Sequence, residues 1–333
     1  MADTDDRLVP LPEDDRPLPY DNDRRPRRRR RDDDDLPPRK TNTVLIVVLV
    51  LGGLAIVAGI VVVGFLPSAV VKVREAAARS ESQNKLKQMT LTIHGMVSAT
   101  DRAMPPATGV YPLSGPNATI FFHILPALES SNIYSTYRAN PVNGPIGATV
   151  TIKTYCAPTD PTNPGMNTNL TSYAANAWLF GNVDGGSIRL STLINGKGSS
   201  NTVAFMERYA QPGWSASGAS AHFWAQNAST GTSIQPWVYM NNFTTATTAL
   251  PLNTSRVEGP IFGVVAANIT PAQDPTAHAF SGNTIQVGIV DGSARSITES
   301  VNTILSTGGT QTIWRWSVSA SGATAQLPPP AGW

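Results

Sequence analysis

The 333-residue chain has one cysteine, Cys156, and four histidines. A single cysteine excludes a disulfide framework and a cysteine-based zinc site within one chain. The histidines, His94, His123, His222 and His278, fall in no HExxH or HxH pattern, so spacing gives no two of them a shared metal. Charge is scarce over most of the chain. Residues 1–40 carry 11 Lys/Arg and 12 Asp/Glu, which leaves 14 and 11 for the other 293 residues. That is about a third of the charge density of an average soluble domain. An excess of three positive charges spread so thinly cannot neutralise a run of phosphates. A DNA-binding protein of overall basic character is therefore excluded, and no nucleic-acid partner is expected.

What is present divides the chain into five stretches. Residues 1–40 read as a disordered cytoplasmic tail, rich in proline and charge with little to bury. Arg24–Arg31 holds seven arginines around Pro26, followed by Asp32–Asp35. The acidic block competes for the arginines, so the run reads as a solvated tail that sets topology, in preference to a lipid or nucleic-acid patch.

Val44–Leu66 is a 23-residue run without a charged residue. As a helix it is about 34 Å long, matching the hydrocarbon core of a bilayer. A secretory signal peptide has a shorter n-region and an apolar stretch of about 7–15 residues, so the run reads as an uncleaved transmembrane anchor. Nine Lys/Arg precede it in residues 24–40 and five follow in the next 21 residues. That asymmetry keeps the N-terminus in the cytoplasm and sends the C-terminal part across an inner (cytoplasmic) membrane, to the periplasm or outside.

Residues 67–99 read as a continuation of the same helix, about 80 Å in all, with Pro67 either kinking it or tolerated where it leaves the bilayer. Leu86, Met89, Ile93 and Met96 recur at spacings 3, 4 and 3, giving an apolar stripe to pack on a sheet. Residues 100–325 are rich in Thr, Asn, Ser, Ala, Gly and Pro, with short strand-like runs at Thr149–Tyr155, Thr202–Met206, Pro236–Met240, Ile261–Val265 and Thr284–Val290. In the last, Ile285, Val287 and Ile289 alternate with Thr284, Gln286 and Gly288, and Asp291-Gly292 offers a tight two-residue hairpin into Ser293–Thr298. Residues 326–333 form a loose tail.

A family resemblance rests on segments in a shared order. Phe65–Met96 (FLPSAVVKVREAAARSESQNKLKQMTLTIHGM), Phe121–Tyr137, Thr154–Pro161 (TYCAPTDP), Gly196–Arg208 (GKGSSNTVAFMER) and Gly282–Thr298 together resemble the planctomycete proteins of the DUF1559 family, which are prepilin-like. The motif residues so matched are Cys156, Asp160, Pro161, Ser200, Asn201, Thr202, Asp291 and Gly292. The chain departs from the pattern at two points. The prepilin start Gly-Phe-Thr-x-x-Glu is missing, since Lys40-Thr41-Asn42-Thr43-Val44 stands there. The C-terminal histidine is also displaced: ten residues before Asp291 lies Ser281, and the nearest histidine is His278. The resemblance implies an α+β fold, a long N-terminal helix, its first half transmembrane, packed on an antiparallel β-rich pilin-like head.

The residues offer little catalysis. GxSxG is absent, and a serine triad is not local in sequence, so no serine can be singled out. Asp160 and Asp291 sit in turn-like sequence. Calcium ligation is one reading; without a DxDxD run, turn formation by bonding their own backbone is the stronger one. Cys156 reads as a buried small hydrophobe in preference to a reactive thiol. The expectation is a membrane-anchored structural or assembly protein that binds no cofactor, is not an enzyme, and has the lipid bilayer and other protein subunits, itself or pilin-like, as partners. Two alternatives stand behind it. One is a tethered binding module that presents Trp178, Trp214, Trp224, Trp237, Trp314 and Trp316 to glycans or peptides; the other is a tethered hydrolase.

Overall fold

A computed structural model describes residues 42–98, 104–112, 114–141, 144–145, 148–163, 165, 169–181, 190–191, 198–213, 221–225, 237–238, 259–269, 276–280, 283–302, 314 and 317. The expectations for the tail 1–40, Gly196, Ser281, Trp214, Trp316 and residues 326–333 lie outside these. The chain divides into two units, Met1–Val62 and Val63–Trp333.

Helix α1 spans Thr43–Ser98, as the sequence predicts, and contains Pro67. Proline has no N–H to donate and ends many helices. Here the helix continues through it, and the Ser68 hydroxyl donates to the Phe65 carbonyl at 2.9 Å. In the first unit, the described side chains from Val44 to Val61 are all exposed. Among the described residues α1 is the one helix long and apolar enough to cross a membrane.

The second unit is built on a five-stranded sheet of order β5-β3-β4-β6-β7. Its strands are β3 (Tyr173–Asn176), β4 (Val203–Glu207), β5 (Trp237–Val238), β6 (Thr284–Ile289) and β7 (Ala294–Thr298). Pairing is antiparallel except between β3 and β5, which are parallel. A small hairpin, β1 (Thr108–Val110) with β2 (Asn117–Thr119), leads into the short helix α2 (Ile120–His123). Two further helices are α3 (Ser131–Tyr137) and α4 (Ala177–Phe180).

The last helical turns of α1 seal the main core. Leu86, Met89, Thr90, Ile93 and Val97 are buried; Met96 packs at the edge, half-buried. Leu86, Met89, Ile93 and Val97 join Phe121, Phe122, Tyr155, Tyr173, Phe205 and Trp224 in one cluster. The opposite face of the sheet carries a second cluster in which Ile285, Val287 and Ile289 meet Met206, Val203 and Trp314. The alternation of β6 therefore holds, but its other face is not solvent: Gln286 and Gly288 are buried too. Gly288 is a glycine because α1 lies on it. A Cβ there would stand 2.7 Å from Thr90 Cγ2 and 3.3 Å from the Leu86 carbonyl oxygen.

Three local expectations are corrected. Thr149–Tyr155 is not a strand; it ends in a 3-10 turn at Lys153–Tyr155. Ile261–Val265 is not a strand either, and Ile261 makes only an isolated bridge to His278. The hairpin turn is longer than two residues. The Gly292 N–H donates to the Ile289 carbonyl at 3.0 Å, and Ile289 N–H donates to Ser293 O at 2.8 Å. Gly292 alone of the pair has positive φ, 89°. Asp291 keeps negative φ because its carboxylate accepts the Ser293 N–H at 2.9 Å and hydroxyl at 2.7 Å. The result is a three-residue loop with glycine in the left-handed position.

Candidate functional site

Strand β4 is the axis about which the motif residues gather. At its entry, Ser199–Asn201 form a 3-10 turn, and Thr202 closes it by donating its hydroxyl to the Gly198 carbonyl at 3.1 Å. The hairpin loop holding Asp291 and Gly292 lies beside this entry. Val290 N–H donates to Thr202 O at 3.0 Å, and Arg295 reaches the Ser200 carbonyl at 3.2 Å. Gly292 also faces Leu91 of α1, where a Cβ would overlap the leucine side chain.

At the exit of β4 lies the Cys156–Pro161 segment. Asp160 is buried, and each carboxylate oxygen is committed: Oδ2 accepts the Ala210 N–H at 2.9 Å, and Oδ1 accepts the Thr162 N–H at 2.9 Å and hydroxyl at 2.6 Å. Thr162 Oγ1 in turn accepts the Gln211 N–H at 3.0 Å. Burial raises the Asp160 pKa against these hydrogen bonds. Pro161 is exposed. Cys156 is a buried free thiol that donates to the Ile152 carbonyl at 3.4 Å, and burial pushes its pKa up to about 11. It is a packed thiol held far from the thiolate form.

Among the described residues, no three His, Cys, Asp or Glu side chains converge to hold a metal ion. Asp160→Ala is expected to cost about 1–3 kcal/mol by stranding the buried Ala210 N–H. Urea denaturation measures it, and added calcium or chelator should leave the parent protein's midpoint unchanged.

Three histidines are tied to backbone. His123 Nε2 bonds the Gly109 carbonyl at 2.9 Å, and its burial lowers its pKa to about 4. His222 Nδ1 bonds Tyr209 O at 2.7 Å. His278 Nδ1 accepts the Tyr209 N–H at 3.2 Å, with the two rings 5.5 Å apart. His94 is half-buried on α1. Trp224 and Trp314 lie in the two cores, so they offer no surface to a glycan; Trp178 is partly buried against the second core.

The most unusual group was not singled out from the sequence. Glu207 ends the apolar run Val203–Met206, and its side chain is buried. Two residues after Phe205, it shares the face that meets α1. Its Oε1 accepts the Ser82 hydroxyl of α1 at 2.6 Å, and its Oε2 accepts the Gln286 N–H of β6 at 2.8 Å. Ser82 Oγ also lies 3.0 Å from the Tyr173 hydroxyl of β3. Beside it, Gln83 Nε2 donates to Gln286 Oε1 and to Ser296 Oγ of β7, each at 2.9 Å. Both donors to Glu207 are neutral. Burial dominates over those bonds and raises its pKa to about 8. The signal available in sequence was an acidic residue in register with core positions of a strand.

A family model described as a protein of unknown function, DUF1559, matches residues 71–303, well over half of the chain. No curated protein and no solved structure matches it.

Proposed function

The chain belongs to the DUF1559 family, and from that premise we propose that it is a single-pass membrane protein with a structural or assembly role and no catalytic activity. Its N-terminus lies in the cytoplasm, its anchor Val44–Leu66 in the inner membrane, and its head in the periplasm or outside. Its partners are the bilayer and other protein subunits, copies of itself or pilin-like chains. The observation that carries this reading is α1. One helix supplies an apolar stretch of membrane-spanning length and the buried stripe Leu86–Val97 that completes the head's core. A head built on its own anchor cannot part from it without exposing that core, which suits a display or assembly part. The polar groups inside the head support the same view. Asp160, His123, His222 and His278 are each engaged in holding backbone segments together.

The test is extraction, protease protection and N-terminal mass on cells making the full chain. Carbonate should leave the protein in the membrane, and protease added outside should cut only beyond Leu66. Deleting residues 44–66 should move the chain to the soluble fraction. Release by carbonate, or protection of the head from protease once the outer membrane has been opened, would overturn the reading. A retained Met1 or Ala2 indicates a fixed display protein. An N-terminus near Thr41–Val44 indicates processing, and with it assembly into filaments.

A further inference from the structure

Ser82 is the first fully buried residue of α1; the described residues before it are exposed or half-buried. At that one level, the helix reaches four strands: Tyr173 on β3, Glu207 on β4, Gln286 on β6 and Ser296 on β7. The contacts below it are of another kind, since Leu86, Met89, Ile93 and Val97 are dry and apolar. A carboxyl group at this boundary has two states of very different cost. Neutral, it is an ordinary member of a hydroxyl and amide network. Ionised, it is a buried charge that two neutral donors do not compensate.

The surrounding charges do not rescue the ionised form. Arg79, one turn earlier on α1, attracts it but is half exposed and paired with Glu75. Lys85 is turned to Glu81 and to the Cys156 carbonyl. Asp160, from the loop before β3, repels it, and Tyr173 is itself held in the neutral form by burial. The side chains on β6 and β7 that join the network, Gln286 and Ser296, carry no charge, and Arg295 of β7 is turned to the Ser200 carbonyl.

We propose that Glu207 is a proton-operated clasp under the first docked turn of α1: as a neutral acid it stays buried with that turn closed over it, and on ionisation the cost of the buried charge outweighs the strengthened Ser82 bond and frees the turn. Water reaches an ionised Glu207 most cheaply by lifting residues 79–83, because the apolar stripe beyond Leu86 opposes any deeper opening. The device therefore sets how firmly the head is held to the helix that leaves it, and it responds to mildly alkaline surroundings.

The experiment uses the full chain in neutral detergent, with a spin label at exposed Ser80 (Ser80→Cys) in a Cys156→Ala background. The mobile fraction of the label should rise severalfold between about pH 6 and about pH 9, with a midpoint near 8. Glu207→Gln should abolish that rise. Ser82→Ala should move the midpoint upward, because it removes a bond that favours the carboxylate. A label whose mobility is flat with pH, or a rise that persists unchanged in E207Q, would overturn the clasp. A second readout on the unsubstituted protein is independent of how the variants fold. The infrared carbonyl band of a buried carboxylic acid should be present near pH 6 and lost near pH 9. A spectrum with no such titrating band would also overturn it.

Discussion

Trp224→Ala is expected to destabilise the head by about 3–5 kcal/mol, the largest effect of any single truncation here. Trp224 is fully buried. Its ring lies 6.5 Å from Phe122, nearly parallel to it, and 6.1 Å from Tyr155. The indole N–H donates to the Val150 carbonyl at 2.9 Å, so truncation also strands that acceptor. Its backbone ties the same region together, taking the Thr119 hydroxyl at 2.6 Å and donating to Asn169 O at 3.1 Å. The mutant should show a urea midpoint lowered in proportion with an unchanged slope. Trp224→Phe should recover most of the packing and lose only the hydrogen bond, at a cost of about 1–2 kcal/mol. A loss under 1 kcal/mol for the alanine variant would mean that the aromatic cluster is not the centre of the core.

The second large effect is the pH dependence of stability. Glu207 has an ordinary carboxyl pKa of 4.5 in the unfolded chain and about 8 in the folded one. Between those values the folded state holds a proton that the unfolded state has lost. Stability therefore falls as pH rises through this window, by about tenfold in the folding constant per unit. His123 acts in the opposite direction. Its folded pKa of about 4 lies below its ordinary 6.5, so the stability it contributes is lost as pH falls from 6.5 toward 4. Below pH 6.5 the two trends oppose each other. From pH 6.5 to 8 the Glu207 trend stands clear of His123 and is worth about 2 kcal/mol. Urea midpoints at a series of pH values should show the decline in the parent protein. Glu207→Gln should flatten it, since an amide has no proton to lose. A parent protein equally stable at pH 6.5 and 8 would contradict the assignment.

Much of the architecture could be read from short patterns. The uncharged run Val44–Leu66 and the stripe Leu86, Met89 and Ile93 needed only composition and helical period, because both are properties of one helix taken alone. The hairpin was legible from the alternation of Ile285, Val287 and Ile289 before Asp291-Gly292. Its loop length was not, because the Asp291 side chain holds Asp291 out of positive φ. Strand β3 went unseen because Tyr173-Ala174-Ala175-Asn176 has no β-branched residue. It is a strand because β4 and β5 lie on either side of it. The runs Thr149–Tyr155 and Ile261–Val265 erred in the other direction. Their composition suited a strand, but no neighbour in the described sheet pairs with their length.

The candidate site shows the same division. That Asp160 and Asp291 shape turns was legible from their neighbours. That Asp160 also holds Ala210, 50 residues away, was not. Nor could the sequence show that Glu207 meets Ser82 across 125 residues. By itself, the sequence determined a chain poor in charge beyond its first 40 residues, with one membrane-length apolar helix, a continuation carrying one apolar stripe and a strand-rich remainder. These follow from local hydropathy and period, which each segment carries within itself. The tertiary structure decided which face of β6 meets α1, which motif segments flank β4, and that one carboxyl is buried where the helix leaves the sheet. Those depend on contacts between distant residues, where the cost of burying a polar group is set by the partners the fold brings to it.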